Sequence, residues 1–317
     1  MIATTRAVLA LDIGGTKLAA AVVNPEGAIV VAARARTRRD DGEALYRDLE
    51  SLGRSVVARS GEHVSAVGAG CGGPMRFPEG VVSPLHIPAW RDFALRDRLV
   101  SSFGVPAVVD NDAKAMALGE WWRGAGQGSL NVLGMVVSTG VGGGLVVDGR
   151  LLDGEHGHAG HIGHVNVLPD GPRCECGAYG CLTAVAAGTG IARRIAAALD
   201  AGARTRLEPG ATATDAARAA RDGDALATGL FADAASGLGR AIASATALVD
   251  LDRVVIGGSI GIEAWDLLQP GLEAELRARA RIPFAQNVQV MPAALGHDAG
   301  LVGAAALALR ELTERDG

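Results

Sequence analysis

The chain has 317 residues, close to half of them apolar, with 45 glycines and a formal net charge of −5. That length suits about two domains and a substantial core. The charge balance gives no electrostatic case for nucleic acid or an anionic membrane as a partner. Glycine stands at roughly twice its usual ~7% and gathers at a few loops, the pattern of tight turns and close backbone approach to a ligand.

The opening segment, "MIATTRAVLALDIGGTKLAAAVV", is interrupted by Arg6, Asp12 and Lys17. It has neither a leader-peptide cleavage pattern nor the ~20 apolar residues of a membrane span. There are four cysteines, three of them within eight residues. With no export signal, such a cluster reads as metal ligands before disulfides and places the chain in the cytoplasm.

"AVLALDIGG" followed by "KLAAAVVNPEG" predicts strand, glycine turn, strand. Next come a helix over 43–59, a strand at "HVSAVGAG", a proline-rich loop from Pro74 to Pro88, a helix over 93–102 and a strand at "VPAVVD". Asn111 and Asp112 then open a helix, "AKAMALGEWWRG", that reads as amphipathic. About 125 residues after the first device, "NVLGMVVSTGVGGGLVVDGR" repeats it, with an apolar run to Val137, a loop from Ser138 to Gly144, and "LVVDG". The repeat predicts two α/β domains built by duplication, each carrying one glycine hairpin that faces a shared cleft. Helices follow from Gly190 to Leu248, with an exposed break near "LEPGATAT". The longest begins near Asp224 and sets Leu226, Leu230, Ala234, Leu238 and Ile242 on one face. The strand "RVVIGG", a helix, the strand "NVQVMP" and a closing helix "AGLVGAAALALRELTER" complete the chain.

A glycine turn exposes several backbone N–H groups and so forms a cradle for phosphate oxygens. In "DIGGTK", Asp12 can reach a Mg²⁺ ion directly or through water, and Thr16 adds a hydroxyl. Ser138 and Thr139 do the same in "STGVGGG". Neither is a Walker loop, because GxxxxGK[ST] is absent and a strand, not a helix, follows each turn. A dinucleotide fold fails on the same ground. Either loop alone also reads as an ordinary hairpin; the two together point to a nucleotide triphosphate between two lobes. Asp112, at a strand-to-helix junction, either caps the helix or accepts the proton of a hydroxyl undergoing phosphorylation. His164, Cys174, Cys176 and Cys181 give H-x9-C-x-C-x4-C, one imidazole and three thiolates. That closed tetrahedral set suits structural Zn²⁺ and leaves no open position for catalysis. Reduced, buried cysteines are the alternative.

"LALDIGGTK", "VDNDAKAMALGE", "VSTGVGGGLVVDGRL", "AGHIGH" and "CECGAYGC" occur in the order and spacing of the ROK sugar kinases, which the chain resembles over essentially its whole length. The resemblance implies an α/β, two-lobed actin-like ATPase (ribonuclease H-like) fold with duplicated βαβ domains and a cleft between them. Residues 1–111 with about 299–317 would form the smaller lobe, and 112–298 the larger lobe with the zinc site. It implies ATP- and Mg²⁺-dependent transfer of the γ-phosphate to the 6-hydroxyl of a hexose, glucose or an amino or N-acetylamino hexose, by a homo-oligomer (dimer or tetramer). Asp112 would be the base, and Asn111, Asp112, His161, His164, Thr183 and Gly73 would bind the sugar. Asp12, Gly14, Gly15, Thr16, Lys17, Thr139, Gly140, Gly257 and Gly258 would hold the nucleotide. His164, Cys174, Cys176 and Cys181 would hold zinc, with the second edge of His164 toward the sugar.

The chain departs from the family's usual pattern at two carboxylates. The family usually has glutamate where His161 and Thr183 stand, and "AGHIGH" is similar to bacterial N-acetylmannosamine kinases. His86 stands where relatives often have Asn. Loss of these charge-assisted bonds implies an altered substrate or a weaker grip on glucose. The alternatives are a kinase for an unusual amino sugar or cyclitol, a polyphosphate-using enzyme, and a catalytically silent sugar sensor. A repressor would need a preceding DNA-binding segment, and a first strand near residue 7 leaves no room for one. Elsewhere, His158 reads as pocket-lining, His156 as solvated, Asp110 as a local hydrogen-bonding residue and Trp90 as structural. Trp121 and Trp122 read as interface residues, Asp298 as a helix cap and Cys71 as a small buried residue.

Overall fold

The sequence repeat becomes two sheets of one build. The computed structural model describes residues 6–316; residues 1–5, the start of the segment read above as carrying no leader, and residue 317 lie outside the described residues. The first sheet begins with β1 (Ala7–Ile13), β2 (Lys17–Val23) and β3 (Ile29–Arg36), followed by α1 (Gly42–Ser60) and β4 (Val64–Cys71). The proline-rich loop holds β5 (Met75–Arg76), β6 (Val81–Val82) and β7 (Phe93–Ala94), then come α2 (Leu95–Phe103) and β8 (Ala107–Asn111). After α3 (Asp112–Arg123), the second sheet opens with β9 (Val132–Val137), β10 (Val141–Val147) and β11 (Arg150–Leu151). Four helices follow, α4 (Leu182–Ala186), α5 (Gly188–Asp200), α6 (Ala213–Arg221) and α7 (Ala225–Val249). The chain closes with β12 (Arg253–Gly257), α8 (Ser259–Glu263), α9 (Trp265–Arg279), β13 (Gln289–Pro292) and α10 (Ala299–Asp316).

The strand orders are β3-β2-β1-β4-β8 and β11-β10-β9-β12-β13. In each sheet the first three strands pair antiparallel and the last two join in parallel. The physical reason is the connection length. Glycine turns of a few residues can join only antiparallel neighbours, whereas parallel entry needs a crossover, supplied in the first sheet by α1 and α2.

Every residue of β4 is buried, because both sheet faces are covered. Leu45, Leu49 and Val56 of α1 pack on one side, and Leu301, Ala304, Ala305 and Ala308 of α10 on the other. That is why β1 and β4 read as continuous apolar runs and not as alternation.

The amphipathic expectation for α3 is corrected. Ala113 through Glu120 are all buried, because α3 lies between the second sheet and α10. Its small side chains let backbones meet: a Cβ on Gly303 of α10 would fall 1.7 Å from the carbonyl oxygen of Ala115, and one on Gly119 would fall 2.7 Å from Gly303 N. Glu120 is buried yet satisfied, accepting from Ala125 N and Leu295 N at 2.8 Å each.

In α7, Leu230, Ala234, Leu238 and Ile242 are buried as expected, while Leu226 is only partly covered. The helix expected over 93–102 starts later, since Phe93 and Ala94 pair with Val82 and Val81 as a strand. Trp90 is structural: its Nε1 donates to Gly42 O at 2.9 Å and its ring stacks on Phe93 at 4.5 Å. Trp121 and Trp122 pack in a cluster that joins α3, the second sheet and α10. Asp298 pairs with Arg34 of β3 and does not act as the expected side-chain cap. Among the described residues no helix is long and apolar enough to cross a membrane.

Candidate active site

The two glycine hairpins face one cleft of about 560 Å³, walled by Gly14, Gly15 and Thr16 on one side and Ser138, Thr139 and Gly140 on the other. Each turn is held in shape by its own backbone: Gly14 N donates to Lys17 O at 3.0 Å, and Ser138 N to Gly140 O at 2.9 Å. Side chains brace them from outside, with Thr37 Oγ1 donating to Gly14 O at 2.7 Å and Thr189 Oγ1 to Thr139 O at 2.9 Å. Gly15 must be glycine for space, because a Cβ there would lie 2.5 Å from the Cβ of His86. The turns use the Gly14 and Ser138 N–H groups for their own shape, which leaves those of Gly15, Thr16, Thr139 and Gly140 for an anionic ligand.

Asp112 closes the cleft between them. The cap of α3 is Asn111: its side-chain oxygen accepts from Ala113 N at 3.0 Å and Lys114 N at 3.4 Å. Asp112 occupies the first helical position, and one of its oxygens accepts from Ala113 N at 2.9 Å. Although its surface opens to the cleft, protein surrounds it on every other side. This desolvation raises its pKa against the lowering effects of the Ala113 hydrogen bond and the nearby His86 and His161. A carboxylate lifted in this way is a stronger proton acceptor once ionised. Asp12, at the end of β1, is pushed up to about 6 by burial and then by Asp112, with Lys17 and Arg34 pulling the other way.

A loop between β11 and α4 brings the histidines and cysteines together. His161 Nδ1 donates to His158 O at 2.9 Å, and the two rings meet edge-on at 5.5 Å. That leaves Nε2 as the ring nitrogen free for another partner. Beyond it, His164 Nδ1 lies 3.9 Å from Cys174 Sγ, and Cys176 Sγ lies 3.7 Å from Cys181 Sγ. All four ligand atoms lie within 4.8 Å of one another. A tetrahedral ion bound to sulfur at ~2.3 Å sets sulfurs about 3.8 Å apart, so this donor set fits one metal ion.

The sequence profile of the ROK family matches residues 8–311. The chain is 36% identical over 304 residues to a glucokinase of Halalkalibacterium halodurans, covering 92% of each. It is 38% identical over 304 residues to an N-acetylmannosamine kinase of Escherichia coli, covering 96% of this chain and 98% of that one. It also superposes on a ROK family glucokinase from Streptomyces griseus, solved in complex with glucose and AMPPNP, with a TM-score of 0.77, 32% identity, and coverage of 98% and 100%. The chain belongs to the ROK family.

Against the expectations for a ROK protein, the fold is the actin-like two-lobed one, and Gly14, Gly15, Thr16, Gly73, Asp112, Thr139 and Gly140 meet at the cleft. Asn111 adjoins it as the cap of α3. Lys17 is exposed at the start of β2. Gly257 and Gly258 stand at the end of β12, with Gly257 paired to Val136, and Ser259 Oγ lies 3.0 Å from Ser138 Oγ. Thr183 Oγ1 is 3.5 Å from Val141 O, and a short 3₁₀ turn packed on β10 follows His161 and ends with His164. Sequence reasoning missed Arg39, which lines the cleft and donates through Nε to His86 O at 3.2 Å. Its only sequence signal was a place in the ordinary-looking run "TRRDD".

Proposed function

We infer that this ROK protein is an ATP-dependent hexose kinase that transfers the γ-phosphate to the 6-hydroxyl of glucose or of an amino or N-acetylamino hexose. The observation that carries this is the position of Asp112, which lines one cleft together with both glycine hairpins. The sugar hydroxyl oxygen attacks the γ-phosphorus, the bond to the β-phosphate oxygen breaks to leave ADP, and Asp112 takes the hydroxyl proton. The N–H groups of Gly15, Thr16, Thr139 and Gly140 hold the triphosphate in a hairpin that Gly14 shapes, with Lys17, Gly257 and Gly258 on the nucleotide side. Mg²⁺ carried by ATP would neutralise phosphate charge, and Asp12 is the carboxylate that would hold it. Asn111, Gly73, His161, His164 and Thr183 orient the sugar.

Zn²⁺ suits His164, Cys174, Cys176 and Cys181, where it would stabilise the loop without entering the chemistry. With its Nδ1 edge toward the cysteines, His164 keeps Nε2 for a sugar hydroxyl. We assign 1–111 with 299–317 to one lobe and 112–298 to the other, working as a cytoplasmic homo-oligomer. The deciding experiment is a coupled ADP-release assay over glucose, mannose, N-acetylmannosamine, N-acetylglucosamine and glucosamine. One hexose with clear turnover is expected; silence on all of them, from folded metal-loaded protein, would overturn the reading.

A further inference from the structure

Two residues beyond the base, α3 carries a fully buried lysine that the chemistry above does not use. Lys114 Nζ lies 2.8 Å from Asp110 Oδ2, 2.9 Å from Asp153 Oδ1 and 3.3 Å from Gly157 O. An ammonium has three protons to give, and all three have an acceptor here. The acceptors come from different parts of the chain. Asp110 belongs to β8, while Asp153 and Gly157 belong to the loop that runs on to His158 and His161. The ring of Phe77 covers the ammonium at 5.1 Å and also bears on Gly157, where a Cβ would fall 2.3 Å from the Cβ of Phe77. The second oxygen of Asp153 accepts from Arg310 of α10 at 2.6 Å, and Asp153 O accepts from Ala159 N at 3.0 Å.

We propose that Lys114 is a positioning residue: by gripping Asp153 and the Gly157 carbonyl from the helix that begins with Asp112, it sets the His158–His161 loop at a fixed distance from the base. A lysine placed only to neutralise Asp110 has no need of the loop. Here two of its three hydrogen bonds go there, and one goes to a backbone carbonyl, whose position is what the loop's path depends on. The inference rests on the sugar-kinase reading for its effect on turnover, but the grip itself is independent of that reading.

The test uses Lys114→Met with Asp110→Asn, which removes the grip without leaving a buried charge unpaired, and separately Asp153→Asn, which retains the Lys114–Asp110 pair. Amide hydrogen exchange of residues 154–162, measured without substrate, is expected to quicken at least about tenfold in the double variant and less in Asp153→Asn, while β9 and β10 stay unchanged. The sugar kcat/KM is expected to fall about tenfold or more, with the KM for ATP within about twofold. Loop exchange within about twofold of wild type in both variants would overturn the proposal. So would a KM for ATP that rises in step with that for sugar, or a quickened loop with unchanged sugar kinetics. If the double variant does not fold, Asp153→Asn alone decides by the same readouts. A wild-type protein silent on every hexose would sink the functional reading, while the exchange result would still decide whether Lys114 holds the loop.

Discussion

Asp12, at the end of β1, feels the charge of Asp112, and burial together with that repulsion lifts Asp12 to about 6. A proton on Asp12 competes with a cation for the same oxygens, so the sign is fixed. Affinity for Mg²⁺ is full above about pH 6 and falls about tenfold per pH unit well below it. Titrating Mg²⁺ against the ATP complex between pH 5 and 8 checks this, and the Asp12→Asn variant should lose the dependence along with most of its activity.

The same raised value makes Asp12 a cost to folding. The folded chain binds this proton more tightly than the unfolded one, so the stability it contributes is present below the ordinary carboxylate value of 3.8 and is lost as pH rises through about 6. At neutral pH the cost is on the order of 3 kcal/mol. Asp12→Asn should therefore melt a few degrees higher than wild type at pH 7.5 without Mg²⁺, and no higher at pH 4.

Asp112→Asn keeps the shape of the residue, and Asn111 still caps α3. Fold and metal content should be retained while turnover drops at least about 100-fold. Turnover within a few-fold of wild type would remove Asp112 from the role of base.

Burial, with Cys176 and Cys174 beside it, pushes Cys181 up to about 12. Metal entry must displace its proton, so zinc binding should release protons into weakly buffered solution at pH 7.5. A strong chelator should lower the melting temperature by at least about 5 °C. Cys181→Ser should show the lower melting temperature already, with no further fall on chelation.

Gly15→Ala places a methyl against His86. Overpacking of this kind costs roughly 1–3 kcal/mol, and here it should appear as a raised KM for ATP because the hairpin carries the phosphate amides. His86→Gly in the same chain removes the colliding Cβ and should restore most of the loss; no restoration would show that the glycine is needed for another reason.

What was legible in the sequence follows from how local each signal is. The metal set lies in one short loop, and the hairpins are contiguous, so spacing alone assembles them. Asp112 was ambiguous between cap and base until the structure gave the capping to Asn111. Helix α3 misled because its alanines pack on two partners at once, which leaves no polar face for periodicity to find. Lys114 and Arg39 carry no motif of their own in the sequence. Their surroundings come from residues far along the chain, Asp153 in one case and His86 in the other.

The meeting of Gly119 and Gly303 gives the molecule a fulcrum. At Gly119 and Gly303 peptide rests on peptide, while Leu118 of α3 and Leu307 of α10 pack in the same cluster beside them. A pivot at that point needs the smallest displacement of backbone, with the side chains around it moving further the farther they lie from it. A single added methyl at Gly303 would act as a wedge at that point, directly against the helix that begins with Asp112.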